Sequence, residues 1–210
     1  MSDEVQLILG IVFSYLLGSI PTSVWVGRYF FNTDVREHGS GNAGATNTIR
    51  VLGWKAGIPV FVFDVFKAWL VVYAVQNYLD WNYAPEEIIY IQIAFGLAAV
   101  LGHVYPIYVG FKGGKGVGAF AGMAIALFPL AFVSSFAIFL LVVITTKYVS
   151  LGSILAALSF PFFLYFVFHV DSVPLLSLGV FATLFIIFTH RKNIVKLLNA
   201  KENKFSAKKN

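Results

Sequence analysis

Along the 210 residues, apolar positions form long continuous runs, broken at a few points by glycine, proline or clustered polar residues. A helix needs about 20 apolar residues to cross a hydrocarbon layer about 30 Å thick. On that scale the pattern predicts a first span over 5–31, kinked at Gly18-Ser19-Ile20-Pro21, a second over 56–79 and a third over 88–107. A glycine-rich stretch, 110–118, then interrupts the run. Residues 117–146 are apolar throughout and would make one helix of about 45 Å, but Phe128-Pro129 predicts two shorter helices with a break between them. A sixth span over 151–168 and a seventh over 174–190 follow, and the polar, basic tail 192–210 is expected to be partly helical. No alternation of the kind that marks a transmembrane β-barrel is present. The expected fold is all-α: a polytopic membrane helical bundle of seven transmembrane helices in one integral-membrane domain, 1–210.

The polar positions orient this bundle. With seven spans, Arg28, Arg36, Arg50, Lys55, Lys112, Lys115, Lys147, Arg191 and the tail lysines fall on one side. Asp3, Glu4, Asp80, Glu86, Glu87 and Asp171 fall on the other, which receives no Lys or Arg. Basic residues favour the cytoplasmic side, so the N-terminus is expected outside and the C-terminus inside. Fusing 117–146 into one span would put Lys147 outside and the tail on the wrong side. The acidic start, Met1-Ser2-Asp3-Glu4, lacks the basic n-region of a cleavable signal.

Composition agrees: 59% of residues are hydrophobic and 12% charged, against about 25% charged in a soluble domain. The absence of cysteine excludes disulfides, thiolate metal sites and a cysteine nucleophile. The net charge of +5 belongs to a cytoplasmic face and does not point to nucleic acid.

Three unusual segments share that face. In the first, Gly39-Ser40-Gly41-Asn42-Ala43-Gly44-Ala45-Thr46-Asn47 with Arg50, glycines free the backbone to aim N–H groups at a ligand, and Ser40, Asn42, Thr46 and Asn47 add neutral donors. Such a set suits an oxyanion; the alternative is a flexible linker. In the second, Gly102-His103-Val104-Tyr105-Pro106 leads to Phe111-Lys112-Gly113-Gly114-Lys115-Gly116. Two lysines among three glycines resemble a phosphate cradle in kind, without Walker A spacing; positive-inside lysines explain the charges but not the glycines. The third, Thr145-Thr146-Lys147-Tyr148-Val149-Ser150-Leu151-Gly152-Ser153, reads equally as a helix cap or a ligand site. After the last span come His190-Arg191-Lys192-Asn193, with Lys196, Glu202 and Lys204 beyond. Asp64 and Lys67, three apart within the second span, are charges at membrane depth that read either as functional or, the favoured reading, as a self-neutralising structural pair in support of a site. His169, beside Asp171 near the outer surface, is expected to play no part.

A site so rich in donors and poor in carboxylates calls for an anion, with more than one phosphate-like group, and its position beneath apolar walls suits an acyl chain. No carboxylate cluster or paired-histidine motif supports a metal, so neither metal nor cofactor is expected. The His-x-x-x-x-Asp acyltransferase signature and the Gly-x-Ser-x-Gly elbow are both missing. An anion or organophosphate transporter is the rival from another class, and a lipid phosphatase a third reading; a transporter would present charged groups to both faces.

Four motifs in register resemble the bacterial membrane acyl-phosphate:glycerol-3-phosphate acyltransferase family: Ser40 to Asn47 with Arg50; Gly102-His103 with Pro106 and the stretch from Phe111 to Val117; Lys147 to Ser153; and His190-Arg191 with Asn193. Departures are small, Ala68 where the family's Asp-x-x-Lys-Gly has glycine, Tyr105 before Pro106, and Gly118-Ala119. The resemblance implies a seven-helix enzyme of the bacterial cytoplasmic membrane, with its active site on the cytoplasmic face. It implies acyl transfer from acyl phosphate to the 1-hydroxyl of glycerol 3-phosphate, giving lysophosphatidic acid and phosphate, the first step of phosphatidic acid and phospholipid biosynthesis. It further implies that Ser40, Arg50, Lys115, His190 and Asn193 hold glycerol 3-phosphate as the catalytic set. Gly41, Asn42, Gly44 and Thr46 with Ser150 and Ser153 would cradle the acyl phosphate, with Asn47, Gly113 and Gly114 also in the binding loops and Lys112 serving either pocket. The expected partners are the two substrates, the lipid bilayer and transient contact with the soluble enzyme that makes acyl phosphate.

Overall fold

A computed structural model describes residues 2–77 and 82–205. The expected end of the second span at Leu79, Asp80 and the tail beyond residue 205 lie outside the described residues. All regular structure among those described is helical. Two compact units divide at Leu127/Phe128.

The first unit opens with α1 (Asp3–Gly18) and α2 (Thr22–Phe31), bent by 41° at Ser19-Ile20-Pro21. Pro21 has no N–H to donate and restricts Ile20, so the run breaks where the sequence placed its kink. α2 ends at Asn32 in the left-handed region, and α3 (Ala45–Leu52) follows a short 3-10 turn. α4 (Trp54–Asn77), α5 (Pro85–Val104) and α6 (Val117–Leu127) complete the unit. Burial of apolar surface gives helices little reason to associate where the solvent is lipid; close approach at small residues does. A Cβ at Gly18 would stand 2.6 Å from Ala99 Cα, one at Gly102 2.7 Å from the Ser19 nitrogen, and one at Gly122 2.9 Å from the Trp69 nitrogen. These glycines let α1 lie against α5, and α6 against α4, backbone to backbone.

The second unit comprises α7 (Pro129–Thr146), α8 (Val149–Phe162), α9 (Val173–Thr189) and α10 (Arg191–Leu198). Pro129 and Pro174 stand in the first turns of α7 and α9, where the missing N–H costs nothing. Pro161 lies inside α8, which widens into a π turn over Phe163–Val167. α9 and α10 meet at 62°.

Among the described residues four helices are long and apolar enough to cross a membrane, or up to six spans if each bent pair counts as one. α6, the expected fourth span, has 11 residues, roughly 16 Å at 1.5 Å per residue and about half a hydrocarbon layer. The break at Phe128 is where the sequence predicted it; the helix before it is shorter. Ile8, Leu9 and Phe13 on α1, Leu130, Val133 and Ile144 on α7, and Leu184 on α9 are exposed along the helix flanks, as lipid-facing residues are.

Candidate functional site

In the first unit the site begins with a loop that the sequence suggested and a helix that it did not. Gly39 and Gly41 both take positive φ, 63° and 72°, a conformation that favours glycine. The Asn47 side chain, buried behind this loop, accepts from the Ser40 N–H at 2.8 Å and donates to the carbonyls of Val35 at 2.7 Å and His38 at 3.1 Å. Asn47 was expected as a ligand donor; its carboxamide is instead committed to shaping the loop, leaving the Ser40 hydroxyl exposed. α3 starts at Ala45 after Gly44, which supplies no side-chain cap. Its first-turn N–H groups, Thr46 included, therefore face outward as a helix end favourable to anions. Arg50 sits one turn on, half-buried, and its guanidinium forms no ion pair or hydrogen bond among the described residues.

Behind the loop, Asp34 accepts from Arg36 Nη2 at 2.8 Å, from Arg36 Nε and N–H at 3.0 Å, and from Arg28 Nη2 at 2.9 Å. The Arg36 guanidinium, chiefly, holds the Asp34 carboxyl well below the usual carboxylate range, and Arg28 adds to this. Arg36 Nη1 also donates to the Val109 carbonyl at 3.0 Å, clasping this loop to the next.

The second loop turns through Gly110, Phe111 and Gly116, all with positive φ. It doubles back on the end of α5: Gly113 N–H donates to the Val104 carbonyl and Gly114 N–H to the His103 carbonyl, both at 3.1 Å. Lys112 is exposed and Lys115 half-buried. Under them lies a buried polar cluster, in which Asp64 Oδ1 meets Lys67 Nζ at 2.8 Å, Thr22 Oγ1 at 3.2 Å and His103 Nδ1 at 3.4 Å.

In the second unit, Ser150 and Ser153 are buried in the first turns of α8, and His190 is buried at the α9–α10 corner. His190 Nδ1 lies 2.8 Å from the Ile186 carbonyl. A carbonyl can only accept, so Nδ1 carries the proton and Nε2 holds the lone pair of the neutral ring. Ser153 bonds back to the Val149 carbonyl at 3.0 Å. Ser150 Oγ and Asn193 Nδ2 both donate to Glu202 Oε1, at 3.0 Å and 2.8 Å, and Phe205 N–H donates to the Lys147 carbonyl at 2.7 Å. The tail thus folds back on the start of α8, a carboxylate at its positive end.

Donor-rich segments thus occur on each unit. Residues 8–200 match the family of glycerol-3-phosphate acyltransferases, a match that runs through both units. The glycerol-3-phosphate acyltransferase of Fusobacterium nucleatum is 42% identical over 195 residues, covering 93% of this chain and 96% of that protein. That of Macrococcus caseolyticus is 43% identical over 206 residues, covering 97% and 100%. The chain belongs to the glycerol-3-phosphate acyltransferase family. A crystal structure of PlsY, an integral membrane glycerol 3-phosphate acyltransferase, in its glycerol 3-phosphate form superposes with a TM-score of 0.84 at 37% identity, covering 96% of each chain. Its lysophosphatidic acid form gives 0.82 at 36%.

Arg50, Lys112, Lys115 and the uncapped end of α3 are groups that can receive an anion. Sequence reasoning left Asp34, Arg36 and Glu202 without a role; Glu202 meets Ser150 from 52 positions away, a distance at which no periodicity signals a contact. The pairing of Arg28 and Arg36 with Asp34 is local, and the short Arg–x–x–x–x–x–Asp–x–Arg spacing carries a signal for it.

Proposed function

We propose that this acyltransferase takes its acyl group from acyl phosphate and places it on the 1-hydroxyl of sn-glycerol 3-phosphate, releasing 1-acyl lysophosphatidic acid and inorganic phosphate as the first step of phospholipid synthesis. The observation that carries the reading is the pair of donor-rich loops, 39–47 with Arg50 and 110–116 with Lys112 and Lys115, in a chain whose family acts on a phosphate. Two substrates that each carry a phosphate close to the reacting carbon or hydroxyl can use one loop apiece. The glycerol 3-phosphate and lysophosphatidic acid forms of the PlsY neighbour support both ends of the reaction.

In this reading Ser40, Arg50, Lys115, His190 and Asn193 hold glycerol 3-phosphate. Gly41, Asn42, Gly44, Thr46, Ser150 and Ser153 receive the acyl phosphate, with Lys112, Gly113 and Gly114 completing the loops and Asn47 bracing the first of them. Acyl phosphate is a mixed anhydride with a good leaving group, so no covalent enzyme intermediate is needed. The substrate hydroxyl oxygen forms a bond to the acyl carbon, the acyl carbon–oxygen bond to phosphate breaks, and the electron pair leaves with the phosphate. Backbone N–H groups and cations stabilise the developing oxyanion and the departing phosphate. Fixing both anions in attack geometry supplies roughly 7–11 kcal/mol. The hydroxyl proton passes to a substrate phosphate, whose second pKa lies near 6. His190→Gln then lowers kcat by less than the roughly 10²–10⁴-fold that loss of a general base costs; a larger loss with glycerol 3-phosphate binding intact assigns the base to His190 Nε2.

Seven membrane crossings with the N-terminus outside, and a site on the cytoplasmic face of a bacterial inner membrane, are part of the same proposal; the one-sided distribution of Lys and Arg supports them. Donor choice is tested by supplying purified protein with glycerol 3-phosphate and either acyl phosphate or acyl-CoA. The proposal expects product with acyl phosphate alone; equal or greater rates with acyl-CoA overturn it, and phosphate uptake into vesicles without product favours a transporter.

A further inference from the structure

Asp64, Lys67 and His103 are all buried, lie on two different helices, and are not needed to touch either substrate. Asp64 Oδ1 and Lys67 Nζ pair at 2.8 Å, and Lys67 also donates to the Ile20 carbonyl at the α1–α2 break, at 3.0 Å. The charge of Asp64 is therefore already balanced by Lys67, yet the same oxygen takes the His103 Nδ1 at 3.4 Å. That contact fixes the imidazole about its Cβ–Cγ bond. The other edge of the ring then supports the second loop from beneath: a Cβ on Gly114 would overlap His103 Nε2, and one on Gly113 would stand 2.6 Å from Pro106 Cδ. The backbone of the loop hydrogen-bonds to the carbonyls of His103 itself and of Val104. Gly118, at the start of α6, closes the other side, where a Cβ would stand 3.3 Å from Asp64 Cβ. So Gly114, directly before Lys115, rests on the His103 ring, Gly113 rests on the His103 backbone and on Pro106, and one carboxylate sets the angle of the ring.

We propose that Asp64 and His103 form a positioning couple for the 113–115 loop, in which Asp64 orients the imidazole and the imidazole sets the height and direction at which the loop presents Lys115 to a phosphate. The inference deepens the assignment of Lys115 to glycerol 3-phosphate given above and rests on it for the ligand, not for the loop geometry.

Three variants of the full chain in detergent test it. His103→Ala removes the support. Asp64→Asn with Lys67→Gln removes both charges together, so that no buried charge is left unpaired, and keeps a donor for Ile20. His103→Gln reaches the position of Nε2 beneath Gly114 and serves as the conservative rescue. Amide hydrogen exchange at 113–115 and titration with glycerol 3-phosphate in the absence of any donor are the readouts, with thermal midpoints as the control. The first two variants should exchange faster at the loop and bind glycerol 3-phosphate about tenfold more weakly, the factor expected when a charge-assisted hydrogen bond is lost, while His103→Gln stays within about threefold of the parent. Parent-like exchange and binding in both, or a uniform loss across all three variants that follows the thermal midpoint, overturns the proposal. If the unsubstituted protein binds no glycerol 3-phosphate, the substrate assignment fails; the exchange result still decides whether the couple positions the loop.

Discussion

Asp34 shows how one residue stabilises the site without touching a ligand. Its carboxylate gathers two arginines, and one of these, Arg36, reaches the carbonyl of Val109 in the second loop. Arg36 holds the carboxyl below its ordinary value, so the folded state binds the proton less readily than the unfolded one. The stabilisation is complete above the ordinary carboxylate value of about 4 and is lost as pH falls through the lower folded value. Stability in detergent should therefore be flat with respect to this group from neutral pH to about 4 and fall below it; Asp34→Asn should be less stable by about 1.5–3 kcal/mol at neutral pH and lose that acid limb. A parent-like acid limb in Asp34→Asn contradicts the brace. Asn47 carries the complementary lesson for reading sequences. Its residue type and its place among glycines were legible, but whether a carboxamide faces a ligand or its own backbone depends on where Val35 and His38 turn their carbonyls.

Among the elements, the breaks were the most legible, because proline acts locally: the chain bends at Pro21 and restarts at Pro129. α3 was missed. Its eight residues, ATNTIRVL, lie between glycines and hold few apolar positions, so they read as loop. What makes them helical is tertiary: Ile49 lies over Gly57 of α4, at a distance that only glycine permits, and Gly53 turns the chain at φ 89°. The fold-back of the tail was equally invisible, and it is testable. Glu202→Gln keeps an oxygen to accept from Ser150 and Asn193; Glu202→Ala removes the acceptor they share. Glu202→Ala should lower the thermal midpoint, cost about 1.5–3 kcal/mol and speed exchange of the Phe205 amide, with Glu202→Gln close to the parent. Equal behaviour of the two variants contradicts a role for this contact.

For the whole molecule, 12% of residues are charged, and their order along the chain supports the proposed orientation. The natural absence of cysteine makes that orientation measurable. Asp171→Cys, just before α9, should react with a membrane-impermeant maleimide added outside intact cells, and Lys55→Cys, in the first turn of α4, only after the membrane is opened; the reverse pattern contradicts the cytoplasmic site. The central claim is the reaction itself, and product stoichiometry tests it most directly. With acyl phosphate and glycerol 3-phosphate, the purified protein should form 1-acyl lysophosphatidic acid and inorganic phosphate in equal amounts, with neither formed when glycerol 3-phosphate is withheld. Phosphate released without lysophosphatidic acid, or an acyl group found at the 2-position, would contradict the account.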